Sequence, residues 1–523
     1  MTEGFRVTYA TLSADDDALH ADFDRGIAVA RNRIGQRHGF VVDGEERDGV
    51  EALAIEERSP IDRDMVIGTF ATASMGDVHD AVTAACAHAP SWSASPWSER
   101  VAILRRAADL ISERRSALSA LMAMEVGKNR LEALGDVEES ADLIRYYCHQ
   151  MEEHDGFEQP MERLSSGEAT FDVMRPYGVW AVISPFNFPM ALSAGPLGAA
   201  LCAGNTAVLK PAEQGVLTGL DTVSILHEAG VPSGALHVVT GPGETVGAEL
   251  VADDRVGGVT FTGSCSVGMR ISRSFAHEWP KPAICEMGGK NPIIVSRHAD
   301  LDVAAEGTMR SAFGMSGQKC SAASRAYVER PVYDDFLERL VERAAAIEVG
   351  NPLDRGVYLG PVIDEAAVGR YLDAIEHARS HGRVRSGGER LTSGDLGRGH
   401  YVQPAIVEVP DDSYLWTTEM FVPLIAIRPV DSLDEAIDRA NGVAFGLTAG
   451  MFSSDRTEVD RFLERIEAGV VYVNRRAGAT TGAWPGVQPF GGWKASGTGG
   501  KAGGGPYYIQ QYLREQSRTV VES

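Results

Sequence analysis

Cysteine is scarce, and no two cysteines stand at dithiol or metal-ribbon spacing: the six are Cys86, Cys148, Cys202, Cys265, Cys285 and Cys320, with no CxxC among them. That argues against a zinc ribbon and a thioredoxin-type dithiol, and no metal site is expected. Basic charge is in deficit, 49 Lys and Arg against 73 Asp and Glu, for a formal charge of −24. Such a surface repels phosphates, so neither nucleic acid nor an anionic membrane is expected as a partner. No apolar run reaches the length of a bilayer. The longest, from Phe188 to Gly204, is rich in Ala and Gly and contains Pro196, which suits a tightly packed internal helix better than a span. Met1 to Asp17 is polar and acidic, with no apolar signal core. A reducing cytoplasm with free thiols is the expected location.

What remains is an ordinary globular composition, 44% hydrophobic and 23% charged, in 523 residues. That length exceeds one core and predicts two or three domains. Val101, Leu104, Ala108 and Ile111 recur at helical spacing, so helices are expected from about residue 98 to 150. The stretch from Asp155 to Asp172 has no strong period and reads as an excursion. Beyond it, short apolar runs alternate with helical stripes. Val179–Ile183, Thr206–Leu209, Leu236–Val239 and Val259–Phe261 are buried-strand patterns, and the stripe from Val216 to Leu226 ends at Gly230, a C′ glycine. A second alternating region follows from Asn291 to Asn474. The predicted class is α/β, two parallel-sheet domains with a ligand cleft between them.

Several residues in this frame can carry chemistry. Cys320, in Gly317-Gln318-Lys319-Cys320-Ser321, offers a soft nucleophile, activated by a helix N-terminus or by nearby donors. Glu286, 34 residues upstream in Glu286-Met287-Gly288-Gly289-Lys290-Asn291, offers a carboxylate able to deprotonate water. Asn187 stands in Pro185-Phe186-Asn187-Phe188-Pro189. Its amide can serve an oxyanion, or simply make a turn. Lys210-Pro211-Ala212-Glu213 closes a strand at the edge where open α/β sheets bind ligands, and reads equally as a surface ion pair. Gly263-Ser264 joins a strand to a helix and suits a pyrophosphate or a plain tight turn, since GxGxxG is not matched. Gly500-Lys501 fails the Walker pattern, having Ala495 and Ala502 where Gly and Ser or Thr are required.

Taken in order, Phe186-Asn187-Phe188-Pro189, Lys210-Pro211-Ala212-Glu213, Phe261-Thr262-Gly263-Ser264, Glu286–Asn291, Gly317–Cys320, Glu419-Met420-Phe421-Val422-Pro423 and Pro489-Phe490-Gly491-Gly492 resemble the successive signatures of the aldehyde dehydrogenase superfamily. The resemblance covers nearly the whole chain. It implies two Rossmann-like parallel α/β domains with a small oligomerisation arm: residues 1–154 and 176–288 for NAD, 289–487 for catalysis, 155–175 and 488–523 for the arm. It also implies thiolate attack by Cys320 on an aldehyde, an oxyanion held by Asn187 and the Cys320 N–H, hydride transfer to a nicotinamide, and hydrolysis of the thioester by water that Glu286 activates. Lys210, Glu213, Gly243, Gly263, Ser264, Glu419 and Phe421 would bind the cofactor, Glu213 favouring NAD over NADP. Val422 replaces the family's usual glycine, which would alter the local loop.

Within the superfamily, Gly317–Arg325 resembles the 1-pyrroline-5-carboxylate dehydrogenases, which oxidise L-glutamate γ-semialdehyde. That branch implies Ser321, Gly482 and Ala483 on the substrate carboxylate, Phe490 lining the pocket and Glu139 near the amine. The stretch Asn474 to Gln488 looks longer than in typical members. Succinate semialdehyde or another ω-semialdehyde is the competing substrate, and a catalytically inactive structural relative the competing class. A CoA-acylating enzyme would not need Glu286. The implied partners are a small aldehyde, further copies of the chain, and proline dehydrogenase as a pathway neighbour.

Overall fold

The computed structural model describes residues 15–478 and 484–521. Its frame is two seven-stranded sheets. The first is ordered Ala283–Glu286, Val256–Thr262, Val179–Ile183, Thr206–Lys210, Leu236–Val238, Phe40–Val42 and Glu45–Arg47. Its five leading strands run parallel, and the last two form an antiparallel hairpin on one edge. These short runs of Val, Ile, Ala and Leu are buried, as parallel strands covered on both faces must be.

The chain order reverses beside Val179–Ile183. The next two strands in sequence lie on one side of it, and Val256–Thr262 returns to the other. At such a switch point the connections leave in opposite directions and open a crevice at the carboxyl ends. Helix Ala191–Cys202, all but Leu192 buried, packs beneath it against Arg130–Glu153.

The second sheet is ordered Arg383–Ser386, Ala405–Glu408, Leu424–Val430, Ala323–Glu329, Asn291–Val295, Thr448–Phe452 and Val470–Val473. Only its first pair is antiparallel. Four residues, Met287 to Lys290, connect the last strand of one sheet to the first of the other.

A separate three-stranded sheet pairs Leu513–Val521 with Glu168–Pro176 over nine residues, and then Glu158–Pro160. Residues 488–512 do not join it. Trp493–Lys494 pairs with Phe445–Gly446, and Gly497 bridges Glu286. Helices also begin well before residue 98, at Asp17–Arg31 and Met75–Ala94, and a small sheet is built from Gln36–His38, Ile55–Arg58 and Val66–Phe70. Gln36–His38 and Ile55–Arg58 hold one apolar residue between them, so neither gives an apolar run.

Candidate active site

The crevice collects the carboxyl ends of the first sheet. Ile183 leads into Asn187, Lys210 into Glu213, Thr262 into Gly263 and Ser264, and Glu286 closes its own strand. Cys320 approaches from the second domain on a loop with unusual backbone. Met315 (φ 49°, ψ 39°), Ser316 (φ 55°, ψ 35°) and Gly317 (φ 68°) are consecutive left-handed residues. Each such non-glycine residue costs on the order of 1–3 kcal/mol, so the surroundings must impose the shape.

They do so from several segments. Ser316 Oγ donates to Gly360 O (2.7 Å), and the Ile363 N–H donates to Gln318 Oε1 (2.8 Å). Lys319 pairs with Glu132 at 2.9 Å. Asn291 Nδ2 donates to Cys320 O (2.6 Å) and Ala322 O (2.9 Å). Asn187 Nδ2 donates to Gln318 O at 2.9 Å. Both amides thereby fix the loop that bears the sulfur.

Gly288 and Gly289 let the interdomain crossing slip between the two sides. A Cβ on Gly289 would stand 2.5 Å from Cys320 O, and one on Gly288 would overlap the Glu419 carboxylate. The Gly289 N–H donates to Glu419 Oε1 at 2.9 Å.

Cys320 keeps part of its area open but is ringed by protein. That burial first, then the Glu419 and Glu286 carboxylates, push the thiol up to about 12, while the Ser321 and Cys320 N–H groups draw it down. Cys320 follows a 3-10 turn and enters a strand, so the donors at hand are these N–H groups rather than a helix N-terminus. Glu286 is pushed up to about 8 by burial, opposed by the Gly492 N–H, and its Oε2 is buried without a hydrogen-bond partner among the described residues. Glu419 is pushed up to about 7 by burial, against Gly289 and Lys290. Lys290 is brought down to about 7, by burial first and then by Arg325.

On one side of Cys320 lies a cleft of about 1130 Å³, lined by Asn187, Lys210, Glu213, Gly243, Gly263, Ser264, Glu419 and Phe421. All seven residues expected at the cofactor are among them. Lys210 Nζ lies 3.2 Å from Glu213 Oε1, which also accepts from the Gly243 N–H at 2.6 Å. Ser264 caps helix Cys265–Ser274, whose first turn opens onto the cleft. Acceptors for ribose hydroxyls, N–H groups for a pyrophosphate and the Phe186–Phe421 ring pair (5.9 Å) fit a dinucleotide. Val422 is buried outside the left-handed region, and Phe421 carries the positive φ of 57°.

On the other side is a cavity of about 110 Å³ lined by Glu139, Tyr147, Phe188, Glu286, Cys320, Ser321, Trp484, Phe490 and Tyr508. Gly482 and Ala483 lie outside the described residues. The stems of their segment are tied down: Arg475 Nη1 donates to Gln488 Oε1 (2.7 Å), and Trp484 Nε1 to Asp142 Oδ2 (2.8 Å). Among the described residues no cluster of three or more His, Cys, Asp or Glu could hold a metal ion, and no helix is long and apolar enough to cross a membrane.

Beneath this cavity Lys128 and Asp136 form a fully buried ion pair at 2.6 Å. Lys128 Nζ stands 3.6 Å from the Phe188 ring centre, and Asp136 Oδ1 accepts from the Ala191 N–H at 2.8 Å. Asp136→Asn keeps the shape but strands a buried ammonium. A loss of about 3 kcal/mol in urea-denaturation stability is expected, and an unchanged midpoint would show that the pair carries no such weight.

Sequence reasoning did not single out Asn291, Tyr147, Tyr508 or Trp484. Asn291 sat in view inside the Glu286 motif, and a side-chain amide straight after Gly-Gly-Lys was the available signal. The aromatic residues gave none, because their common cavity exists only in three dimensions.

The chain belongs to the aldehyde dehydrogenase family, whose model matches residues 48–518. It is 36% identical over 507 residues to the 1-pyrroline-5-carboxylate dehydrogenase of Bacillus licheniformis, covering 96% of each chain. A crystal structure of 1-pyrroline-5-carboxylate dehydrogenase from Thermus with bound NAD superposes with a TM-score of 0.93 at 34% identity, covering 100% of both chains. Proline utilization A from Bdellovibrio bacteriovorus matches at 36% identity and TM-score 0.90, across 96% of this chain and 52% of that one.

Proposed function

We propose that this protein is an NAD-dependent L-glutamate γ-semialdehyde dehydrogenase. The observation that carries the reading is that Cys320 lies on the wall of both cavities, with Glu286 on the smaller side and Glu419 on the larger. A thiolate placed there can attack a carbonyl carbon held in the small cavity. The second N–H of the Asn187 amide and the Cys320 backbone N–H are the donors for the oxyanion that develops. Bound NAD supplies the acceptor for the hydride that leaves the former carbonyl carbon. Glu286 in its ionised form then takes a proton from the water that cleaves the thioester.

Lys210, Glu213 and Gly243 are placed to hold the adenosine side, Ser264 and the helix behind it the pyrophosphate, and Glu419 with Phe421 the nicotinamide ribose. Glu213 would repel a 2′-phosphate, which favours NAD over NADP. In the small cavity, Ser321 serves the substrate carboxylate together with Gly482 and Ala483, Glu139 the amine, and Phe490 the methylene chain. The six free cysteines suit a reducing cytoplasm. The nine-residue pairing of Leu513–Val521 with Glu168–Pro176 suits an arm that joins copies of the chain. A proline-oxidising enzyme is the natural supplier of the substrate.

Comparing kcat/KM for L-glutamate γ-semialdehyde and succinate semialdehyde tests the substrate. The amino acid aldehyde should win by at least about tenfold, ~1.4 kcal/mol of transition-state binding. Equal values would leave the family chemistry standing and remove the substrate assignment.

A further inference from the structure

Two buried carboxyl groups that the reaction does not use meet under the cofactor cleft. Glu57 comes from strand Ile55–Arg58 and Glu125 from helix Arg115–Val126, and both are buried. They converge on the first turn of helix Val216–Ala229, which begins three residues after Glu213. The Gly215 N–H donates to Glu57 Oε1 at 2.7 Å. Glu125 accepts from the N–H groups of Leu217 (2.7 Å) and Thr218 (3.1 Å) and from the Thr218 hydroxyl. Donors at a helix start are natural carboxylate partners.

One atom is left over. Glu57 Oε2 is buried and finds no N–H or O–H donor among the described residues. The group it faces is Glu125, and a hydrogen bond between two carboxyl groups requires a proton on one of them. The turn they hold also touches the oxyanion side. Gly215, at φ 121°, packs so closely that a Cβ on it would lie 3.1 Å from Pro189 Cβ, two residues from Asn187.

We infer, resting on the reading of the large cleft as an NAD site, that Glu57 and Glu125 are positioning residues: they share one proton, and as a singly charged pair they hold the 211–215 loop in the shape that binds the dinucleotide. Burial first, and then Glu125, push Glu57 well above the usual carboxylate range, and burial pushes Glu125 up to about 7. The charged group facing them from the helix is Asp221, itself held by Arg33 at 2.6 Å with His38 and Arg114 nearby. For acids raised in this way, the stabilisation is complete below the ordinary carboxyl value and is lost as pH rises through the raised one. Glu125 ionises first, through about pH 7, which leaves the singly charged pair, and the loop loosens further to the alkaline side as Glu57 gives up the shared proton.

The test is the dissociation constant for NAD of the full chain, by calorimetry from pH 6.5 to 9.5. In the parent it should weaken on the order of tenfold between pH 7 and 9.5. In Glu57→Gln it should stay flat within about twofold, because the amide is a permanent donor to Glu125. Glu125→Gln, whose amide donates to Glu57, should flatten the profile in the same way and serves if the first variant does not fold. Variant profiles parallel to the parent, or a flat parent profile, overturn the shared proton. A parent that binds no NAD at any pH removes the cofactor reading and this inference with it.

Discussion

Cys320→Ala loses aldehyde oxidation by at least about 10⁴-fold, some 5 kcal/mol or more of barrier, while its NAD dissociation constant stays within about threefold of the parent value. The two outcomes separate because the sulfur lies at the end of the large cleft and contributes none of the polar contacts that would grip a dinucleotide. The loop is set by the carbonyls of Gln318, Cys320 and Ala322 and by the side chains of Ser316, Gln318 and Lys319, none of which the substitution alters. Steady-state assays with fluorescence titration of NADH check both halves. Turnover retained in the variant would mean another group is the nucleophile.

Glu286→Gln acts later. Acylation survives, so each active subunit releases about one NADH in a burst, and steady turnover then stops for want of a base. The parent should show the titration that the variant lacks. Burial holds the Glu286 carboxyl up to about 8. The reactive species is the carboxylate, so below that pH the hydrolytic rate falls by about tenfold per unit as the base is protonated. The same shift favours folding at low pH, and this contribution is lost as pH rises through about 8. Rapid-mixing kinetics from pH 6 to 9 would check both. Equal steady rates in variant and parent would remove Glu286 from hydrolysis.

How far the sequence carried these assignments depends on the range of each contact. Strands such as Val179–Ile183 and Thr206–Lys210, and the helix stopped by Gly230, were legible because apolar runs and a glycine stop are local signals. Cys320, Glu286 and Glu419 were legible as ordered motifs. The clamp from Asn291 to Cys320 spans 29 residues and the meeting of Glu125 with Thr218 spans 93, so no local pattern marks either. The Phe40–Val42 hairpin was missed because its second strand, Glu45–Arg47, is wholly charged, and it finds its place against Leu236–Val238. Residues 488–512 were grouped with the arm through the resemblance alone; Met287 N–H bonds to Ser496 O and Phe490 lines the small cavity, contacts that no local pattern marks.

The two chambers share the sulfur as a common wall and otherwise draw on largely different residues. An acyl group bonded to Cys320 occupies the small chamber alone, leaving the large one free to exchange its contents. Under the proposed reaction, a spent carrier would leave without displacing the acyl group, and the cycle would tolerate a pause between its redox and hydrolytic halves.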